Sequence, residues 1–222
     1  MIMALIFDFD GLILETEQPV FQSWQELYHS MGCEIPFEVW GSTIGKSEDI
    51  FDPFDELEQQ LGRQVDRNKL GPLRRRRELE LIDERPILPG VENYLLRGRA
   101  LGLKIGLASS SSCAWVSGHL QRLDLIKHFD SILCSDDVKR TKPDPDLYLL
   151  SLEKLGVSPD QAIVFEDSPN GVAAAKTAGI FAVAVPNIIT RQLSLEQADL
   201  CLDSLEDISL DTLLAQLNQS DQ

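Results

Sequence analysis

The sequence predicts an α/β protein: a parallel sheet core flanked by helices, with a small helical cap inserted near its beginning. Three observations predict it. Five short apolar runs end in polar or turn residues, helix-period segments alternate with several of them, and one long helical stretch interrupts the alternation after the first run.

The first run, Ala4-Leu5-Ile6-Phe7, reads as a buried strand. The interruption follows. Val20, Phe21, Trp24, Leu27, Tyr28 and Met31 fall at three- and four-residue spacing before Gly32 stops the helix. A second helix runs through Phe54, Leu57 and Leu61 to Gly62, and a third covers Leu73 to Ile82 with four consecutive arginines, Arg74 to Arg77. Pro86, Pro89 and Gly90 mark the return to the sheet. Residues 1–14 and 86–222 are therefore expected to form the core domain and 15–85 the cap. Strands are expected at Leu103 to Ala108, Ser131 to Cys134, Ala162 to Phe165 and Phe181 to Val185. Leu147, Leu150 and Leu152 before Gly156, and the small-residue run Val172 to Ala178 before Gly179, read as covering helices.

A chain of 222 residues with 43% hydrophobic and 25% charged residues can bury a true core. Its charge is 20 basic minus 36 acidic, or −16, which repels nucleic acid and anionic membranes. The first stretch turns acidic at Asp8 and Asp10, too early for a signal peptide, and no run reaches membrane-spanning length. Cys33, Cys113, Cys134 and Cys201 lack the CxxC spacing of a structural zinc site or a disulfide framework. A cytoplasmic monomer acting on a small molecule is the expectation.

The chemistry gathers where apolar runs turn polar. Asp8 and Asp10, Ser109, Ser135 to Asp137, and Glu166 with Asp167 all fall at strand carboxyl ends, the edge where open parallel sheets bind ligands. Asp8 and Asp10, two residues apart, point the same way, and Gly11 permits a tight turn after them. Like charges that close call for a cation.

Asp8-Phe9-Asp10-Gly11-Leu12 resembles the first motif of the haloacid dehalogenase superfamily of phosphotransferases. Ser109 resembles the second motif, Lys142 in Thr141-Lys142-Pro143-Asp144-Pro145-Asp146 the third, and Phe165-Glu166-Asp167-Ser168-Pro169-Asn170-Gly171 the fourth. The ordered set spans essentially the whole chain, and the helical insertion matches the small cap of one branch. The resemblance implies a Rossmann-like core and a phosphatase of a small phosphorylated metabolite. Asp8 would be the nucleophile, forming an aspartyl phosphate. Asp10 would protonate the leaving alcohol and then take a proton from water. Ser109 and Lys142 would stabilise the transferring phosphoryl group. Asp8, the main-chain carbonyl of Asp10, Asp167 and Glu166 would form an oxygen-rich magnesium site. Gly11, Ser110 and Lys46 are expected to contact substrate.

Plainer readings stand beside these. Ser109 to Ser112 also reads as a helix N-cap, Lys142 as a solvated lysine before a turn, and Glu166 with Asp167 as caps of the next helix. The arginine run is expected to pair with Glu78, Glu80 and other acids, and the three tryptophans to pack. Two rival functions follow from the resemblance. A β-phosphoglucomutase is expected to carry a histidine where Val20 stands and an arginine in the loop Gly45-Lys46-Ser47-Glu48, and has neither here. A non-catalytic binding protein is expected to lack Asp8, Asp10 or Asp167, and all three are present.

Overall fold

A computed structural model describes residues 1–35 and 52–220. Two compact units divide the chain, Met1–Leu14 with Pro86–Gln222 and Glu15–Arg85.

In the first unit the apolar runs become six parallel strands: β1 (Ala4–Phe7), β2 (Lys104–Ala108), β3 (Ser131–Leu133), β4 (Ala162–Glu166), β5 (Phe181–Ala184) and β6 (Leu200–Cys201), in the order β3-β2-β1-β4-β5-β6. Every residue of β1 and β4 is buried, which is why these runs are continuously apolar, in β4 up to Glu166, instead of alternating. Strand order reverses between β1 and β4, and the carboxyl edge at such a reversal is where open parallel sheets bind ligands. Register aligns that edge, with Phe7 opposite both Leu107 and Phe165.

Helices α4 (Val91–Ala100), α5 (Cys113–Arg122), α6 (Asp146–Leu155), α7 (Pro169–Thr177) and α8 (Leu210–Ser220) accompany the sheet. Leu147, Tyr148 and Leu152 of α6 and Val172, Ala174 and Ala175 of α7 pack with Ile6 and Val164 of the sheet. Each large apolar side chain buried there contributes about 1.5–3 kcal/mol. The helix caps are local: Ser112 accepts the Trp115 N–H and Ser168 accepts the Gly171 N–H. So Ser168, and not Glu166 or Asp167, caps α7, leaving both acids at the strand end. Strand β6 was not expected, because two residues, Leu200 half-buried and Cys201 exposed, carry no periodicity. Val185 lies just beyond β5, although its N–H still donates to the Glu166 carbonyl at 2.7 Å.

The second unit contains α1 (Glu17–Ser30), α2 (Pro53–Leu61) and α3 (Arg67–Asp83). Phe21, Trp24, Tyr28, Ile35 and Leu57 form its buried cluster, with Phe54 edge-on to Trp24 at 4.9 Å. Helix α3 begins before the expected Leu73 because Asp66 accepts the Lys69 N–H. The arginine run is taken up inside this unit. Arg74 lies over Trp24 at 4.7 Å and, with Arg75, binds the buried Glu78, while Arg76 meets Glu80 and Arg77 meets Glu26. Among the described residues no helix is long and apolar enough to cross a membrane.

Candidate active site

The pairing of β1 with β4 continues one step past Phe7, where the Asp8 N–H donates to the Phe165 carbonyl at 3.0 Å. Asp8 and Glu166 therefore meet at the reversal of strand order. Lys142 reaches them from the segment between β3 and α6: its Nζ donates to Asp8 Oδ1 at 2.5 Å, Glu166 Oε1 at 2.6 Å and the Ala108 carbonyl at 2.7 Å. All three side chains are nearly sealed from water, at 5% exposure for Lys142, 9% for Asp8 and 0% for Glu166. Lys142 is thus no solvated lysine.

Among the described residues the charges do not balance: Asp8, Glu166 and Asp167 bring three carboxylates against one ammonium. Burial, reinforced by the Glu166 charge and opposed by Lys142, pushes Asp8 up to about 8. Burial alone would lower Lys142, but Asp8 and then Glu166 outweigh it and hold the ammonium above the ordinary lysine range. A single ammonium shared by two carboxylates keeps its own proton and leaves Asp8 short of compensation.

Glu166 is held from all sides. Besides Lys142, its Oε1 accepts the Tyr148 hydroxyl at 2.7 Å, and its Oε2 accepts the N–H groups of Asp167 and Ser168 and the Ser168 hydroxyl at 3.1–3.2 Å. Helix α7 closes on it so tightly that a Cβ on Gly171 would lie 1.8 Å from Oε1. Asp167 Oδ2 accepts the Asn187 amide at 2.7 Å, and Asn187 is itself fixed by the N–H groups of Ile189 and Thr190. Gly11, at φ +83°, passes so near that a Cβ there would meet Asp167 Oδ2 at 2.2 Å and Asn187 Nδ2 at 2.5 Å.

Ligand oxygens of Asp8, Glu166 and Asp167 lie within 4.8 Å of one another. An all-oxygen set with excess negative charge fits a hard divalent cation. The residues present therefore suit such an ion.

Asp10 lies in different surroundings. It is half-buried, its Oδ2 accepts the Ser111 hydroxyl at 2.6 Å and that of Ser109 at 3.4 Å, and its Oδ1 accepts the Trp115 indole N–H at 2.9 Å. Its donors are neutral, where those of Asp8 are charged.

The structure thus brings Asp8, Asp10, Ser109, Lys142, Glu166 and Asp167 to one edge, with Gly11 against Asp167. Ser110 is exposed, and Lys46 lies outside the described residues. Sequence reasoning passed over Ser111, Trp115, Tyr148 and Asn187. Ser111 is hidden in a run of four serines, and Trp115 had been expected only to pack. Tyr148 sits near the start of α6, a position that shows its direction only once the helix is docked against β2 and β3. Asn187 follows Pro186 in a loop that no motif marks.

Comparisons place this geometry among known proteins. Residues 5–185 match the family described as haloacid dehalogenase-like hydrolase. The chain is 47% identical to a candidate phosphatase, YhcW, of Bacillus subtilis, over 98% of this chain and 99% of that one. It is 36% identical to the phosphorylated carbohydrates phosphatase of Thermotoga maritima, over 80% and 82%. It also superposes on the crystal structure of a candidate β-phosphoglucomutase from Thermotoga maritima with a TM-score of 0.79 and 30% identity, covering 96% of this chain and 99% of that one. With the matched region spanning most of its length, the chain belongs to the haloacid dehalogenase-like hydrolase family.

Proposed function

We propose that the chain is a magnesium-dependent phosphatase of phosphorylated carbohydrates, acting through an aspartyl phosphate on Asp8. The observation that carries this reading is the sealed set of Asp8, Lys142 and Glu166, in which Lys142 Nζ stands 2.5 Å from Asp8 Oδ1. A carboxylate is a weak nucleophile, so an Asp in this role needs fixed positive charge beside the group it attacks. The relative named as a phosphorylated carbohydrates phosphatase supports the substrate class.

In this reading Asp8 attacks phosphorus, the bond from phosphorus to the sugar oxygen breaks, and Asp10 delivers the proton that the leaving oxygen requires. Water then attacks the phosphorus of the aspartyl phosphate, Asp10 takes up its proton, and inorganic phosphate departs with Asp8 restored. Lys142 and Ser109 stabilise charge on the phosphoryl oxygens. Asp8, Asp167 and the main-chain carbonyl of Asp10 would hold magnesium, with Glu166 adding charge while its own oxygens stay engaged by Lys142, Tyr148 and Ser168. When bound, the ion would neutralise phosphoryl charge and orient the ester.

Hydrolysis is preferred over phosphoryl transfer between sugar positions. Val20, which stands where a mutase is expected to carry a histidine, packs on the aromatic cluster of its own unit and has no proton to give. The test is phosphate release from a panel of hexose, pentose and alditol phosphates, with and without magnesium, while the sugar products are followed for isomerisation. Magnesium-dependent release that disappears in Asp8→Asn is expected. Sugar phosphate isomers formed without release of phosphate would overturn the reading in favour of a mutase.

A further inference from the structure

Two of the four scattered cysteines meet in the fold. Cys113 opens α5 and Cys134 directly follows β3, and the adjoining strand ends bring their sulfurs and a carboxylate oxygen of Asp137 within 4.8 Å of one another. Asp137 is already turned toward both. Its Oδ2 accepts the Cys134 N–H at 2.8 Å and lies 3.4 Å from the Cys113 sulfur.

The frame around them is tied down independently. Asp136 Oδ2 accepts the Cys113 N–H at 2.6 Å, and the Ser135 N–H donates to the Ser111 carbonyl at 3.0 Å. Cys134 is fully buried, Cys113 half-buried and Asp137 exposed, so the cluster has a closed floor and one side open to water.

We propose that Cys113, Cys134 and Asp137 form a second metal site, for a borderline divalent cation of the zinc type, with water completing a tetrahedral shell. Donor chemistry separates it from the cluster at Asp8: two sulfurs and one carboxylate select a softer ion than three carboxylates do. On binding, both thiols release their protons to solvent and the two new metal–sulfur bonds replace the S–H bonds, with no change of oxidation state. The occupied site joins the start of α5 to the end of β3. Ser111 and Trp115, which hold Asp10, flank that junction.

Cobalt(II) is a suitable probe, because thiolate ligation produces a near-ultraviolet charge-transfer absorption that oxygen ligands do not. The full chain and Asp8→Asn should both show it, and zinc should displace it. Cys113→Ser and Cys134→Ser should lose it, Asp137→Asn should bind cobalt about tenfold or more weakly, and Cys201→Ser should behave as the native chain. Because a substitution at buried Cys134 also stresses folding, the native protein supplies the second readout: zinc should slow alkylation of Cys113 about tenfold or more and leave exposed Cys201 unchanged. The proposal is overturned if the native chain shows no charge-transfer absorption, if the absorption survives either cysteine substitution, if Asp137→Asn binds as tightly, or if Cys113 alkylates equally fast with zinc. Persistence of the site in Asp8→Asn keeps this result separate from the fate of the phosphatase reading.

Discussion

Asp8 and Asp10 leave the same strand two residues apart, yet the molecule treats them oppositely. Asp8 is sealed in beside an ammonium and two further carboxylates, whereas Asp10 is half-buried and held by two hydroxyls and an indole N–H. The ionic pocket is built where β1 meets β4, at the reversal of strand order. The neutral pocket is built from the turn after β2 and the start of α5. Environment, more than residue type, separates two carboxylates into different roles. The arrangement suits a nucleophile on one side and a proton carrier on the other.

The sharpest way to break the comparison is to empty each pocket of its key group. Lys142→Ala leaves Asp8 and Glu166 buried without their cation and is expected to lower stability by about 3–5 kcal/mol in urea unfolding and to abolish activity. Asp10→Asn should lower stability by no more than about 1 kcal/mol while reducing turnover about 10²–10⁴-fold. Equal losses of stability in the two variants would mean that the pockets do not differ as described.

Finer substitutions sharpen it. Tyr148→Phe removes one donor from buried Glu166 and is expected to destabilise the fold by about 1.5–3 kcal/mol, read by the same unfolding experiment. Trp115→Phe keeps the packing but removes the indole donor to Asp10, and turnover is expected to fall about tenfold with stability little changed. The smallest effect belongs to a carboxylate outside both pockets. Burial would raise Asp130, but the Ile105 N–H at 2.8 Å and Arg99 outweigh it and hold its carboxyl below the ordinary aspartate range. Its share of stability is therefore present above the unfolded carboxylate range and lost as pH falls through the lowered native value. Arg99 is 44% exposed, so Asp130→Asn should lower stability by only about 0.5–1 kcal/mol at neutral pH, and by still less in acid, as unfolding at both pH values would show.

How far the sequence reached depends on what kind of signal each residue carries. Strands β1, β2, β4 and β5 were legible because burial on both faces demands a mostly apolar run, broken in β2 by the exposed Lys104, and the ends of β1, β2 and β4 located Asp8, Ser109 and Glu166 directly. Strand β6 was not, since Leu200 and Cys201 pair only at the sheet margin and need no such run. The ionic pocket was legible because charge at a strand end is conspicuous. The neutral pocket was only half so: Ser111 looks like its neighbours in the serine run, and an indole N–H aimed at Asp10 follows from the direction of α5, which no spacing encodes. Tyr148 and Asn187 were hidden for the same reason, as supporting residues are placed by packing between distant segments. Gly11 and Gly171 lay inside recognised motifs, yet their necessity became visible only with Asp167 and Glu166 standing where a Cβ would be.

The central claim is that Asp8 carries the phosphoryl group and Asp10 does not. Acid quenching during turnover of a sugar phosphate with magnesium, followed by borohydride reduction and peptide mass spectrometry, tests it most directly, because hydride converts an acyl phosphate to an alcohol and so marks the side chain that held phosphate. The mark is expected on Asp8 alone. A mark on Asp10, or a Pi-releasing enzyme with no marked aspartate, would contradict the account.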